Sequence, residues 1–260
     1  MSRTEDLSRI RQGLAAAAEA VRPFTPGDVA FERKEERGDP VTAADHAADV
    51  VLRDILPQAG EGWLSEESVD DPARLTCARV WVVDPIDGTR EFIEGIPEWC
   101  ISIGLLEDRV PVAGGIYNPA TRELVLGSIE TGVTYNGEPA RVTEPTEGAP
   151  VTVLASRSEI KRGEWDGLAA SGLRLQPCGS VAYKLALVAA GRADATWTVV
   201  PKSEWDVAAG CALVRAAGGL VTLADGADPG FNKPTPTFPN LVAASARLSE
   251  RIRKDWFRSI

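Results

Sequence analysis

Six consecutive residues, Asp84-Pro85-Ile86-Asp87-Gly88-Thr89, carry the densest chemistry in this sequence. The apolar run Val80-Trp81-Val82-Val83 drives straight into two carboxylates held apart by a turn, the pattern of a strand that ends on a metal ion. On this reading Asp84 closes the strand, Pro85 removes a backbone donor and fixes the bend, and Gly88 lets the backbone approach a ligand closely. Thr89 then opens a short helical stretch, so the N–H groups of Gly88 and Thr89 are free to meet an anion beside the metal.

Other acids recur in similar settings. Glu66 and Glu67 follow the strand-like Gly62-Trp63-Leu64-Ser65, Asp206 precedes the helix-forming Val207-Ala208-Ala209 as a cap, a ligand or both, and Asp45 lies three residues after Thr42 in a capping arrangement. Were they to converge, each close pair would repel by about 4 kcal/mol at 4 Å in a medium of effective dielectric 20, and a divalent cation removes that cost. Oxygen ligands without thiolate or imidazole select a hard ion, and carboxylates shared with a substrate phosphate favour magnesium over calcium. The single histidine, His46, and the dispersed Cys77, Cys100, Cys178 and Cys211 argue against zinc, disulfides and most histidine-based chemistry.

The elements that must position these acids are legible as periodic segments. Residues 4–22 read as a helix, and a second begins near Thr42 with Ala47, Val50, Val51 and Ile55 on its apolar face. The charged segment Phe31 to Gly38 between them reads as a mobile loop or hairpin. From Cys100 the pattern turns to strands, Ile101–Leu106, Val110–Tyr117 and Glu123–Gly127, an antiparallel meander. The polar, turn-rich Glu144–Pro150 marks a domain boundary, giving residues 1–149 and 150–260. Beyond it, strands at Val151–Leu154, Ala193–Val199 and Leu220–Leu223 alternate with helices at Val181–Ala190 and Val207–Ala217, an α/β pattern.

Composition narrows the partners. A formal charge of −10 opposes binding of a nucleic acid polymer, and a small anionic substrate then needs a cation's help. No apolar run approaches the roughly 20 residues that cross a bilayer, and the opening residues lack the basic-then-apolar order of a signal peptide, so a cytoplasmic protein without membrane contact is expected.

Taken in order, these segments resemble the lithium-sensitive, magnesium-dependent phosphatase superfamily of inositol monophosphatases and 3'(2'),5'-bisphosphate nucleotidases. Asp39-Pro40-Val41-Thr42-Ala43-Ala44-Asp45, Ser65-Glu66-Glu67, Trp81 to Thr89, Gly179-Ser180 and Trp205 to Gly210 carry the resemblance, which runs nearly end to end. It implies a layered αβαβα sandwich of the inositol monophosphatase and sugar phosphatase type, its α+β first domain holding most metal ligands and its smaller α/β second domain reading the substrate. It further implies that Glu66, Asp84 and the Ile86 carbonyl hold one magnesium, that Asp84, Asp87 and Asp206 hold another, and that a third, weaker ion sits near Glu66. By the same resemblance Gly88 and Thr89 bind phosphate, Asp45 with the Thr89 hydroxyl orients and deprotonates a metal-bound water, and the chain forms a homodimer.

The leaving group divides the superfamily. Inositol monophosphatases carry a glutamate seven positions before the last metal aspartate, where this sequence has Val199. Thr89-Arg90-Glu91-Phe92-Ile93, Ser156-Arg157-Ser158, Lys184 and Gly230 to Pro234 look like the nucleotidase branch, and Lys184, Lys202 or Lys233 could pair with a second phosphate. Gly95-Ile96-Pro97-Glu98-Trp99 looks instead like the inositol and histidinol phosphate branches. The expectation is that 3'-phosphoadenosine 5'-phosphate is hydrolysed to AMP and phosphate faster than inositol 1-phosphate. A catalytically silent sensor of a nucleotide or anion is the contrasting reading, disfavoured by the completeness of the acidic set.

Overall fold

The computed structural model describes residues 2–34, 39–146, 148–168 and 172–255. Helix α1 (Arg3–Val21) and the short strands β1 (Phe31–Arg33) and β2 (Pro40–Thr42) lead into helix α2 (Ala43–Ile55). β1 and β2 pair antiparallel, so the charged segment is a hairpin at its base, while residues 35–38 of it lie outside the described set. Next come β3 (Gly62–Ser65), β4 (Arg79–Asp87), helix α3 (Thr89–Glu94), β5 (Cys100–Glu107), β6 (Val110–Asn118), β7 (Glu123–Ser128), β8 (Gly132–Tyr135) and β9 (Glu138–Ala140). β3 to β9 form one seven-stranded sheet in sequence order, antiparallel except for the parallel β3–β4 pair.

The second half starts with β10 (Val151–Ser156), helix α4 (Arg157–Lys161), β11 (Leu173–Cys178), helix α5 (Val181–Ala189), β12 (Ala195–Thr198), β13 (Lys202–Ser203) and helix α6 (Glu204–Ala216). It closes with β14 (Leu220–Thr222), β15 (Thr237–Phe238), β16 (Leu241–Ala244) and helix α7 (Ala246–Asp255). The five-stranded sheet runs β11-β10-β12-β16-β14, and β13 pairs with β15 beside it. The sequence pattern misses β2, β8, β9, β11, β13, β15 and β16; β11 alternates half-buried with exposed positions over its first four residues on an edge, and β16 reads as four apolar residues with no period.

Alternation along the strands sorts side chains into layers. Trp81, Val83, Ile101, Ile103 and Leu105 face α1 and α2, where Ile10, Leu14, Ala48 and Leu52 meet them. Val80 and Val82, on the other face, join Ala182, Leu185, Val207 and Ala208 of α5 and α6. Leu154, Leu241 and Ala243 of the second sheet close the far side of that helix layer, while Val153, Trp197, Val242 and Ala244 face outward onto Trp165, Leu248 and Ile252. Helices and sheets thus alternate in five layers, the α/β sandwich expected from the sequence.

One seam sets the position of α6. A Cβ on Gly114 would lie 2.6 Å from the Ala209 carbonyl oxygen, and one on Gly104 2.8 Å from the Ala209 nitrogen, so the helix backbone rests on the sheet itself. Gly114→Ala is expected to lift α6, costing about 1–3 kcal/mol in chemical denaturation and weakening magnesium binding, because α6 carries Asp206 in its first turn; unaltered stability and magnesium affinity would show that the seam does not govern the site.

Candidate metal centre and active site

The β4 strand does not end at Asp84 as the sequence pattern implies; it continues to Asp87 across a bulge. Asp84 pairs with Ser102 and Asp87 with Cys100, so two residues of β4, Pro85 and Ile86, stand against one of β5. Residues three apart in a regular strand point to opposite faces, and the bulge turns Asp84 and Asp87 to the same one. Pro85 is accommodated there because a bulge leaves a position without a ladder bond to donate. Gly88 follows with φ 99°, and a Cβ on it would meet the Glu98 carbonyl oxygen at 3.0 Å, so only glycine fits this turn into α3.

Two neighbours bring the remaining acids. β3 lies parallel to β4 with Ser65 opposite Val83, and the Glu66 N–H donates to the Val83 carbonyl at 3.3 Å, which sets Glu66 beside Asp84. Asp206 is the third residue of α6, not its cap: Ser203 caps the helix, and the Ser203 N–H donates to Asp206 Oδ2 at 2.8 Å. Glu66, Asp84 and Asp206 each offer an oxygen within 4.8 Å of the others. Asp87 stands alongside, its Oδ2 accepting from the Ser180 hydroxyl and the Ala182 N–H, both at 2.5 Å. Ser180 is held at φ 52°, a strained turn that delivers both donors to Asp87.

Both carboxylate oxygens of Asp84 are buried and lack any hydrogen-bond partner. An ionised carboxylate left so would be strongly destabilising unless it coordinates a cation. Burial, then repulsion from Glu66, Asp87 and Asp206, pushes the Asp84 carboxyl well above the usual carboxylate range. Asp206 is pushed well up by burial and by Asp87 and Glu66, against the opposing pull of the Ser203 N–H. An all-oxygen set with an orphaned buried acid at its centre fits a hard divalent ion.

Asp45 comes to the same place from α2. Its Oδ2 accepts the Thr42 N–H at 2.8 Å and the Thr42 hydroxyl at 2.6 Å, the capping box read from the sequence. Its Oδ1 faces the Thr89 hydroxyl at 3.2 Å, and that hydroxyl also lies 3.1 Å from the Ile86 carbonyl. Burial raises the Asp45 carboxyl, opposed by the two Thr42 bonds and the Thr89 bond.

Glu66, Ile86, Asp87, Gly88, Thr89 and Asp206 line a cavity of about 370 Å³, together with Ser156, Gly179, Ser180, Lys184 and Lys202. Arg157, expected at the substrate, instead forks onto Glu98 at 2.5 and 2.6 Å, and Ser158 and Arg162 line the cavity in its place. Lys233 is likewise elsewhere, over the Phe238 ring and on the Thr237 carbonyl. Lys34 was not foreseen: its ammonium bridges Glu66 at 2.7 Å and Glu67 at 2.6 Å. Its only sequence signal was a basic residue before an acidic segment, which does not specify a partner 32 residues on.

The model of the inositol monophosphatase family matches residues 4–257. The chain belongs to the inositol monophosphatase family. Curated relatives include inositol monophosphatase 3 of Solanum lycopersicum, 31% identical with 94% of this chain and 96% of that protein covered. Inositol-1-monophosphatase of Mesorhizobium japonicum is 36% identical, with 81% of this chain and 82% of that protein covered. Among solved structures, the extragenic suppressor protein SuhB of Bartonella henselae superposes with a TM-score of 0.81 at 27% identity, covering 96% of this chain and 98% of that one. With family membership and the acidic cluster together, the chain is a magnesium-dependent phosphomonoesterase. No helix among the described residues is long and apolar enough to cross a membrane.

The raised carboxyls give the metal-free protein a characteristic pH response. Asp84 and Asp206 hold protons in the folded chain at pH values where the unfolded chain has released them, so stability falls as pH rises above the ordinary aspartate value of about 3.9. With a chelator present, the melting temperature is expected to climb as pH is lowered from about 7.5 to 5, and saturating magnesium to flatten that climb. Asp84→Asn is expected to stabilise the metal-free form by on the order of 1 kcal/mol and to remove the magnesium response. Thermal melts across pH with chelator or magnesium check both outcomes.

Proposed function

We propose that this chain hydrolyses a small polyol monophosphate of the inositol 1-phosphate type, by direct attack of water on a phosphate held between the acidic cluster and the first turn of α3. The observation that carries the reaction is the buried, unpartnered Asp84 carboxylate between Glu66 and Asp206. Glu66, Asp84 and the Ile86 carbonyl would hold one magnesium and Asp84, Asp87 and Asp206 a second; a third, weaker ion would sit near Glu66. Bound there, the ions supply Lewis acidity and acidify water.

The chain's own groups do the rest. Asp45, raised by burial yet anchored by Thr42, accepts the proton of the attacking water, and Thr89, within reach of Asp45 Oδ1, aligns it. The Gly88 and Thr89 N–H groups, at the start of α3, receive the phosphate oxygens. Ser180 and Ala182 hold one Asp87 oxygen, which fixes the direction of the other.

For the leaving group, the names of the curated relatives support an inositol monophosphate. A nucleotide 3',5'-bisphosphate is the second reading, favoured by a specific observation: Arg162, Lys184 and Lys202 line the same cavity and could meet a second phosphate. Val199, in the position of the inositol-reading glutamate, packs partly buried against the outer core of the second sheet and leaves that contact unmade. A phosphate-release panel decides between them: inositol 1-phosphate is expected to be the better substrate, and clear preference for 3'-phosphoadenosine 5'-phosphate would reverse the order. Chelation is expected to abolish release of phosphate from every ester, and Asp45→Asn to lower kcat by about 10²–10⁴-fold with magnesium binding retained; full activity in either case would remove the mechanism.

A further inference from the structure

Two carboxylates that line the cavity, Asp39 and Glu91, are employed by neither the ions nor the attacking water. Glu91, in α3 two residues beyond Thr89, is half-buried and lines the cavity. The acids around it are engaged: Asp87 by Ser180 and Ala182, Glu98 by Arg157 and the Gly179 N–H, Asp39 by Arg90, and Glu66 by Lys34. Among the described residues the Glu91 side chain has no hydrogen bond or ion pair to another residue, and its carboxyl bonds only to its own backbone N–H. Lys184 is near enough to attract it, but the Lys184 ammonium rests on the Cys178 carbonyl at 3.5 Å.

Its placement is enforced by a missing side chain. A Cβ on Gly179 would lie 2.4 Å from Glu91 Cγ and 2.5 Å from Cδ, so the Glu91 side chain lies flat along the Gly179-Ser180 turn. That turn also fixes Asp87 through Ser180. The Glu91 carboxyl therefore lines the same cavity as the phosphate cradle, Gly88 and Thr89, and as a wall that includes Ser158, Lys184 and Lys202. With the acidic cluster assigned to the ions, that wall is the part of the cavity left for the alcohol portion of the ester. Burial pushes the Glu91 carboxyl up to about 7, so it has already lost most of the water that would compete for it.

We propose that Glu91 is a specificity-determining residue that accepts a hydrogen bond from a leaving-group hydroxyl next to the ester oxygen, selecting phosphate monoesters of vicinal diols. The inference rests on the phosphomonoesterase reading and narrows its substrate class. The hydroxyl can come from a polyol ring or from the 2'-position of a ribose 3'-phosphate. An ester without a hydroxyl leaves Glu91 with nothing to accept.

The test uses the magnesium-loaded protein with inositol 1-phosphate, 3'-phosphoadenosine 5'-phosphate and phenyl phosphate, comparing the unaltered chain with Glu91→Ala and Glu91→Gln. Glu91→Ala is expected to lower kcat/KM for the hydroxyl-bearing esters by about 10–100-fold while leaving phenyl phosphate within about twofold, and Glu91→Gln, whose amide oxygen still accepts, to recover part of the loss. A loss confined to the inositol ester assigns the polyol source, and one confined to the nucleotide assigns the ribose. Equal loss on phenyl phosphate, no loss on either hydroxyl-bearing ester, or a shifted magnesium midpoint would overturn the role of Glu91. If the unaltered chain releases phosphate from none of the three, the phosphomonoesterase reading itself fails.

Discussion

Like charge held in a space with little water is the constraint on which the rest of the molecule depends. Asp84 has neither solvent nor a donor for its two oxygens, and Glu66, Asp87 and Asp206 crowd it from three directions. A folded chain tolerates this arrangement in two ways, by keeping protons on the acids or by placing a divalent cation among them. The second converts a destabilising cluster into the tool of the reaction, since the charge that attracts the ion is also what the ion then offers to a phosphate.

The fold meets that constraint through a few exact fits. The β4 bulge brings Asp84 and Asp87 to one face, the glycine seam under α6 lets Asp206 approach from the opposite layer, and the parallel β3–β4 pairing delivers Glu66 from the side. None of these four acids depends on a long loop for its position. Asp45 enters in a helix start whose capping box occupies one of its oxygens, leaving the other toward Thr89. Asp45 and Asp206 are thus also structural residues of the helix starts that carry them, and Asp87 of the turn into α5, which couples the stability of local caps and turns to the geometry of the site.

Much of this was legible in the sequence where chemistry and local structure coincide. The Thr42–Asp45 box, the apolar run into Asp84, the glycine at position 88 and the acids at 66 and 206 all announce themselves by residue type at short range. What was not legible is relational. The bulge depends on how β5 pairs with β4, so the strand was read as ending three residues early. Asp206 stayed open between cap and ligand because the helix starts two residues earlier, at Glu204, whose burial comes from tertiary packing, with Glu204 accepting the Asn232 and Lys233 N–H groups. Arg157 read as a substrate cation because its partner, Glu98, lies 59 residues away in sequence, and Lys233 because nothing in its spacing shows that the local turn folds it onto the Phe238 ring. Long charged side chains take whichever partner the fold supplies, and spacing alone does not name it.

The most direct measurement is anomalous diffraction from crystals grown with manganese in place of magnesium. The account predicts a strong peak among the carboxylates of Glu66, Asp84 and Asp206, with both Asp84 oxygens turned to metal, and loss of that peak in Asp84→Asn. A protein that crystallises in manganese with no peak at this cluster, or with Asp84 hydrogen-bonded to protein groups instead, would contradict it.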